Sequence, residues 1–138
     1  RAKGGKKQPF QRPSKPREFR SSAGLPIFVG RSNRQNDRLT TRMAEKWDLW
    51  FHTQKIHGSH VILSTSGEQP DAQSIAEAAS LAAYFSQAQS STKVPVDFTQ
   101  VKFVKKPAAA KPGMVVYTNY QTVLADPNEE LVKHLLVK

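Results

Sequence analysis

The sequence contains no cysteine and no long apolar run. Without cysteine the chain has no disulfide, no thiolate nucleophile and no cysteine ligand for zinc. No apolar stretch reaches the roughly 20 residues that a membrane helix needs, and nothing at the N-terminus resembles a signal peptide. We therefore expect a cytoplasmic protein that does not bind membranes. Because the first residue is arginine and not methionine, we also expect a piece of a longer polypeptide.

Acidic residues are scarce as well, since 11 Asp and Glu stand against 21 Lys and Arg, a net charge of +10. Residues 1–22 hold eight of these cations and one acid, a net charge of +7, among many Pro, Gly and Ser residues. Such a segment buries too little apolar surface to offset its ordering entropy. We predict a disordered basic tail at 1–22 and a folded domain at 23–138. The tail is either an arm that binds phosphate backbones or a solvated linker.

Hydrophobic periodicity predicts the elements of the folded part. Short apolar or alternating segments predict strands at 27–29, 49–52, 61–63, 94–106, 114–117 and 122–124. Helical patterns with capping residues predict helices from 36 or 37 to about 46, from 71 to about 90, and from 127 onward. The order β-α-β-β-α-β-β-β-α is typical of a single α+β domain, with a mixed, mostly antiparallel sheet and helices packed on it.

The segment DLWFHTQKIHGSHVIL at 48–63 gathers three histidines, a tryptophan and an aspartate in one predicted hairpin. A zinc site needs three or four converging ligands, and the spacing of His52, His57 and His60 matches no known metal motif. We therefore predict no metal and no other cofactor. A catalytic group of Asp48, His52 and His60 stays open beside a purely structural role, although we predict that the chain is not an enzyme.

A polyanion is the partner that these residues favour. The segment GRSNRQND places arginines and amides at a helix start, where free N–H groups attract anions. An arginine side chain can also donate two parallel N–H bonds to phosphate oxygens. Rings of the hairpin offer stacking faces for unpaired bases. Each residue taken alone also has a structural explanation, the tryptophan as a core residue above all. The predicted RNA-binding residues are Arg31, Asn33, Arg34, Asn36, Trp50, His52, His60, Lys105, Lys106 and Lys111.

Seven blocks of the sequence resemble one known family. They are GRSNRQNDRLT at 30–40, DLWFH at 48–52, GSHVI at 58–62, EAASLAAYFS at 77–86, VPVD at 94–97, VKKP at 104–107 and KPG at 111–113. In this order they resemble the NFACT-R domain, over about residues 27–126. This is the C-terminal domain of the bacterial ribosome quality-control family, also called fibronectin-binding protein A-like. His57 stands where bacterial relatives usually have proline, which argues against a metal ligand at that position.

The resemblance implies a parent protein that binds large ribosomal subunits carrying an obstructed peptidyl-tRNA. Such a parent supports mRNA-free addition of a C-terminal tail, alanine in bacteria, to the stalled chain. The present chain would then be a monomeric domain that contacts tRNA, ribosomal RNA or the large subunit. Two alternatives remain, namely a protein-interaction module of the same parent and a hydrolase-like enzyme that uses Asp48, His52 and His60.

Overall fold

The computed structural model describes residues 15–138, and its main feature is an antiparallel sheet with helices packed on it. The strands are β1 (Arg17–Arg20), β2 (Pro26–Val29), β3 (Leu49–Thr53), β4 (Val61–Leu63), β5 (Val94–Gln100), β6 (Val104–Lys105), β7 (Val116–Tyr117) and β8 (Gln121–Ala125). The helices are α1 (Asn33–Arg38), α2 (Ala72–Tyr84) and α3 (Glu129–Leu135). No helix between Lys15 and Lys138 is both long enough and apolar enough to cross a membrane.

Six strands form the main sheet in the order β1-β2-β4-β3-β5-β8, and β6 and β7 form a separate two-stranded sheet. Each of these strand pairs is antiparallel. The predicted α+β class, with a mostly antiparallel sheet and packed helices, is therefore confirmed.

One face of the main sheet packs against α2. The helix begins at Asp71, whose Oδ2 accepts a hydrogen bond from the Ser74 N–H at 3.0 Å, a typical N-cap. Its alanines Ala78, Ala79 and Ala82 are fully buried, and their small side chains let the helix approach the strands closely. The larger buried residues of this core are Phe19, Ile27, Val29, Phe51, Val61, Leu63, Leu81, Val96 and Phe98.

The opposite face carries a smaller core beneath α1, a π-helical turn (Leu39–Met43) and the β6–β7 sheet. Leu39, Trp50 and Ile62 are each 1% exposed and form its centre. Because side chains alternate along a strand, Trp50 of β3 points into this layer while Phe51 points to the α2 side. This second layer contains most of the candidate RNA-binding residues.

Several predicted elements have different ends, for local reasons. The first helix begins earlier than predicted, at Asn33 after the Ser32 cap and not at 36 or 37. It continues as the π-helical turn to Met43 and not to about 46, because Ala44 is extended. The second helix ends at Tyr84 and not near 90, and turns follow it. The predicted strand 94–106 breaks at Gln100, because a 3₁₀ turn separates β5 from β6.

The predicted boundary of the tail at residue 22 is wrong. Residues 17–20 form strand β1, which pairs with β2 in the register Phe19 to Ile27. Phe19 is 1% exposed, and the Val137 N–H donates to the Glu18 carbonyl at 3.0 Å. One buried aromatic ring and two flanking chain segments thus hold this part of the chain in the domain. Residues 1–14 lie outside the described residues, and for them disorder stays a prediction.

Candidate nucleic-acid interface

The three histidines of the 48–63 hairpin have different environments. His60 is 1% exposed, His52 is half-buried and His57 is exposed. The rings of His52 and His60 meet edge to face, with centroids 5.6 Å apart. Two of the three histidines are thus neighbours within the fold, and the third faces solvent.

His60 fastens the hairpin to two distant segments. Its Nε2 lies 3.1 Å from the Gly113 carbonyl and its Nδ1 lies 2.7 Å from Thr40 Oγ1. Because a carbonyl only accepts, the proton sits on Nε2, and Nδ1 accepts from the Thr40 hydroxyl. The His60 backbone N–H donates to Asn36 Oδ1 at 3.1 Å. A neutral imidazole therefore satisfies both ring contacts.

Burial, and after it the charge of the neighbouring His52, lower the pKa of His60 from 6.5 to about 4. The hydrogen bond to Gly113 and the carboxylate of Asp37 act in the opposite direction, and Lys106 adds to the lowering. The folded chain therefore keeps His60 neutral at a pH where an unfolded chain would protonate it.

Acidification is expected to destabilise the fold as the pH falls from about 6.5 towards 4. In this window the unfolded chain binds a proton at His60 that the folded chain does not, so up to about 3 kcal/mol of stability, fully present above pH 6.5, is lost. Urea denaturation between pH 4 and 7 measures this. His60→Gln should flatten the profile, and exposed His134→Gln should leave it unchanged. A profile that is the same in both variants would contradict the assignment.

His52 is held by Trp50 and by a hydrogen bond to one of two neighbouring carbonyls, since a neutral imidazole has a single N–H to donate. Its Nδ1 lies 2.7 Å from the Thr53 carbonyl and its Nε2 lies 3.2 Å from the Gly58 carbonyl. Its ring stacks on Trp50, with centroids 5.7 Å apart and planes 4° from parallel. Burial lowers the pKa of His52, although the two carbonyl contacts oppose this. The result is a rigid, half-exposed ring.

Asp48 does not join the histidines. Its Oδ1 accepts from the Thr65 N–H at 3.1 Å and its Oδ2 from the Glu45 N–H at 2.9 Å. It lies just before β3, four residues from His52, which is about 13 Å along an extended strand. The structure thus gives Asp48 a role in holding two loops together, and the predicted alternative of an Asp48, His52 and His60 catalytic group lacks its geometry.

No group of three or more His, Cys, Asp or Glu residues that could hold a metal ion occurs in the described part of the chain. His52 and His60 are adjacent, but their ring nitrogens are engaged with carbonyl and hydroxyl oxygens. The residues around them therefore do not form a ligand set for zinc.

The outer side of α1 and the π-helical turn is strongly basic. Arg34, Arg38 and Arg42 follow one another at four-residue spacing, and all three are exposed. With Asp37, Thr41 and Lys106 they line a shallow cleft of about 360 Å³. None of the three arginines has an acidic partner within 4 Å among residues 15–138. We call these three residues the α1 basic face.

Lys106 is different, because it is already paired. Its Nζ lies 3.0 Å from Asp37 Oδ2 and also donates to the Lys111 carbonyl. Asp37 Oδ1 in turn accepts from the Gly113 N–H at 2.7 Å. This network fastens the loop before β7 to α1. It also neutralises the one carboxylate in the cleft, so that the surface there is net cationic.

The start of α1 is capped by the chain itself. The Ser32 hydroxyl accepts from the Gln35 N–H at 3.1 Å, and Gln35 Oε1 accepts from the Arg31 N–H at 2.6 Å. The helix has only six residues. These two N–H groups are therefore already paired within the chain, and the exposed arginine side chains are the groups that an anion can reach here.

Two further clefts lie side by side. The arginine cleft, about 460 Å³, is lined by Arg17, Arg31 and Asn33 together with His57, Tyr84 and Gln87. The aromatic cleft, about 530 Å³, is lined by His52, Tyr117 and Met114 together with Trp50, His57 and Gln87. His57 and Gln87 line both clefts, which makes them the junction between the two.

Three of the predicted contact residues are inaccessible, which corrects the prediction. Trp50 and His60 are each 1% exposed and Asn36 is 4% exposed. Trp50 is covered by His52, His60 and Tyr117. Asn36 sits against Gly30, where a Cβ atom would lie 1.9 Å from Asn36 Oδ1. These residues are packed inside the domain and are not accessible to a partner.

The remaining candidates divide between different surfaces. Arg31, Asn33 and Arg34 are exposed, but Arg31 and Asn33 line the arginine cleft whereas Arg34 belongs to the α1 basic face. Lys105 and Lys111 are exposed outside these clefts. Sequence reasoning missed Arg17, which it assigned to the tail, and the four-residue spacing of Arg38 and Arg42 was the available signal for the rest of the basic face.

Comparison with known proteins identifies the family of this chain. The family model described as "NFACT protein RNA binding domain" matches residues 15–119. The Rqc2 homolog RqcH of Bacillus subtilis is 48% identical over 134 residues, which is 96% of this chain and 23% of that protein. RqcH of Streptococcus pneumoniae R6 is 42% identical over 127 residues, 91% of this chain and 23% of that protein. The chain thus spans about a quarter of the length of these relatives.

A solved structure has the same fold. The C-terminal part of the fibronectin/fibrinogen-binding protein from Streptococcus suis superimposes with a TM-score of 0.89 and 38% sequence identity, covering 94% of this chain and 52% of that one. The blocks that carried the resemblance in the sequence all fall within residues 15–119. By the extent of the family match and by the identity to its relatives, this chain belongs to the NFACT protein RNA binding domain family.

Proposed function

We propose that this chain is the RNA-contacting domain of a bacterial ribosome quality-control factor. The observation that carries the proposal is the α1 basic face, where Arg34, Arg38 and Arg42 stand exposed without an acidic partner within the described residues. Guanidinium groups bind phosphate oxygens through paired N–H groups. A row of them on one helix side is suited to a phosphate backbone and carries no base preference of its own.

Further cations extend the proposed contact surface. Arg31 and Asn33 lie next to the α1 basic face along the chain, and Lys105 and Lys111 flank the loop that Lys106 ties to α1. The net charge of +10 favours association with a polyanion at long range. If the segment 1–14 is disordered as predicted, its cations would add counterion release on binding.

The family gives the proposed setting. Relatives named Rqc2 homolog RqcH suggest a parent protein that acts on obstructed large ribosomal subunits and supports mRNA-free tailing, with alanine in bacteria. In this proposal the chain is a monomeric, cytoplasmic domain without enzymatic activity of its own. It holds tRNA or ribosomal RNA while other parts of the parent carry out tailing.

A protein-interaction module is the second candidate. One observation favours it, namely that the solved relative from Streptococcus suis is named a fibronectin/fibrinogen-binding protein. Met114, Val116 and Tyr120 are also exposed apolar residues close together in sequence around β7. An arginine row on one helix side has no evident use in that role, and this is why we place RNA first.

Titration of the 138-residue chain with tRNA and with ribosomal RNA fragments tests the proposal. We expect binding to both at 50 mM salt, with an affinity that falls by about tenfold or more on raising the salt to 200 mM. Fibronectin, titrated in parallel, should bind more weakly and with little dependence on salt. If neither RNA binds at 50 mM salt while fibronectin does, the second candidate replaces the first.

A further inference from the structure

The arginine cleft brings two like charges together. Arg17 and Arg31 both line it, and neither has an acidic partner within 4 Å in the stretch from Lys15 onward. The Arg17 guanidinium lies over the Phe85 ring at 4.7 Å, and Arg31 Nε donates to the Lys15 carbonyl at 2.8 Å. Burial lowers the pKa of Arg17, and the charge of Arg31 lowers it further. Two cations that are held close without a counter-charge are typical of an anion site.

The adjoining aromatic cleft has rings that are fixed in place. The Tyr117 hydroxyl donates to Asp97 Oδ2 at 2.5 Å, and Asp97 is itself 1% exposed. His52 lies between two carbonyls, to one of which it donates, and stacks on Trp50, as described above. Rings with few remaining conformations lose little entropy when a flat ligand packs on them. The cleft also contains the exposed thioether of Met114, an adaptable apolar group.

The two clefts adjoin each other. His57 and Gln87 line both of them, and the Gln87 backbone N–H donates to the His57 carbonyl at 3.0 Å. This bond ties the hairpin to the segment after α2, so the junction has a fixed width. A ligand that follows the site from end to end would meet two guanidinium groups first and aromatic rings afterwards.

We infer that these two clefts together bind one unpaired nucleotide, with its phosphate between Arg17 and Arg31 and its base in the aromatic cleft against Tyr117 and His52. The inference rests on the proposed RNA-binding function and adds a preference for RNA with a bulged or looped-out base. Paired bases keep their faces inside the helix and do not enter such a cleft, whereas unpaired bases are free to stack on protein rings. The α1 basic face then supplies general affinity, and this site supplies selectivity.

Two RNA hairpins with the same stem, one fully paired and one with a single bulged nucleotide, test the inference. The 138-residue chain should bind the bulged hairpin about tenfold more tightly, as stacking of one base on protein rings implies. The variant Arg17→Ala removes one of the two guanidinium groups proposed to hold the phosphate and should bind the two hairpins with nearly equal affinity. Arg42→Ala, the control, should weaken both to the same extent and keep the preference.

Methionine methyl NMR locates the base independently. The chain has two methionines, Met114 in the aromatic cleft and Met43 outside it. The bulged hairpin should shift the Met114 methyl signal through the ring current of the base, and the paired hairpin should not. If both hairpins bind equally and leave Met114 unchanged, the inference is wrong but the proposed function stands. If neither hairpin binds at 50 mM salt, the proposed function and the inference both fail.

Discussion

Replacing Phe19 with alanine is expected to lower the free energy of unfolding by about 3–5 kcal/mol. The ring is 1% exposed and its centroid lies 5.9 Å from that of Phe85 at the end of α2. It fills the point where β1, α2 and the C-terminal segment meet, because Phe19 also forms a bridge with Leu136. Its removal leaves a cavity among elements that are distant in the sequence. Urea denaturation followed by circular dichroism measures the change.

Phe10→Ala is the matched control for this experiment. Both phenylalanines belong to the segment that composition assigns to a disordered tail, and Phe10 lies outside the described residues. The prediction of disorder, which stands for residues 1–14, expects no loss of stability from Phe10→Ala. If Phe19→Ala is as harmless as Phe10→Ala, residues 17–20 are part of the tail after all and β1 is not a structural strand.

Removal of the α1 basic face should cause the largest decrease in RNA affinity. Each phosphate contact contributes about one power of ten at 0.1 M salt through counterion release, so replacing Arg34, Arg38 and Arg42 by alanine should weaken binding by up to roughly a thousandfold. The fold should be retained, because these exposed side chains contribute little to stability. Filter binding with tRNA at 0.1 M salt measures the decrease.

A second triple variant separates local contact from total charge. Lys93, Lys133 and Lys138 are exposed and line none of the three clefts described above. Their replacement by alanine removes the same number of positive charges and should weaken tRNA binding far less. Equal decreases in affinity for both variants would mean that only the net charge matters and that the α1 basic face is not a binding surface.

The sequence predicted those elements whose residue pattern lies within one continuous segment. The alanine stripe of α2 and its cap at Asp71 both lie within one helix, so periodicity is enough to find them. By contrast, β1 has a single buried residue, Phe19, in a basic and proline-rich context. Its order comes from β2 and from the C-terminal segment. A composition averaged over 22 residues carries no information about such distant partners.

The same limit explains the candidate site. Asn36 was predicted to contact RNA as an amide at a helix start and His60 as a ring of the hairpin, yet both are buried. Their hydrogen bonds reach residues up to 53 positions away, such as the Gly113 carbonyl, and these partners make burial acceptable. Arg31 and Arg34 were predicted together but face different clefts, since Arg31 precedes the Ser32 cap and Arg34 lies within the helix. The charge of these residues could be read from the sequence, but the direction in which their side chains point could not.

The dependence of tRNA affinity on salt, compared between the unmodified chain and the Arg34, Arg38 and Arg42 alanine variant, tests the central claim most directly. If these arginines bind phosphates, a plot of log affinity against log salt concentration should be less steep in the variant by about two to three units, close to one for each phosphate that the variant no longer binds. If the variant folds normally and its slope equals that of the unmodified chain, the α1 basic face does not contact the RNA backbone.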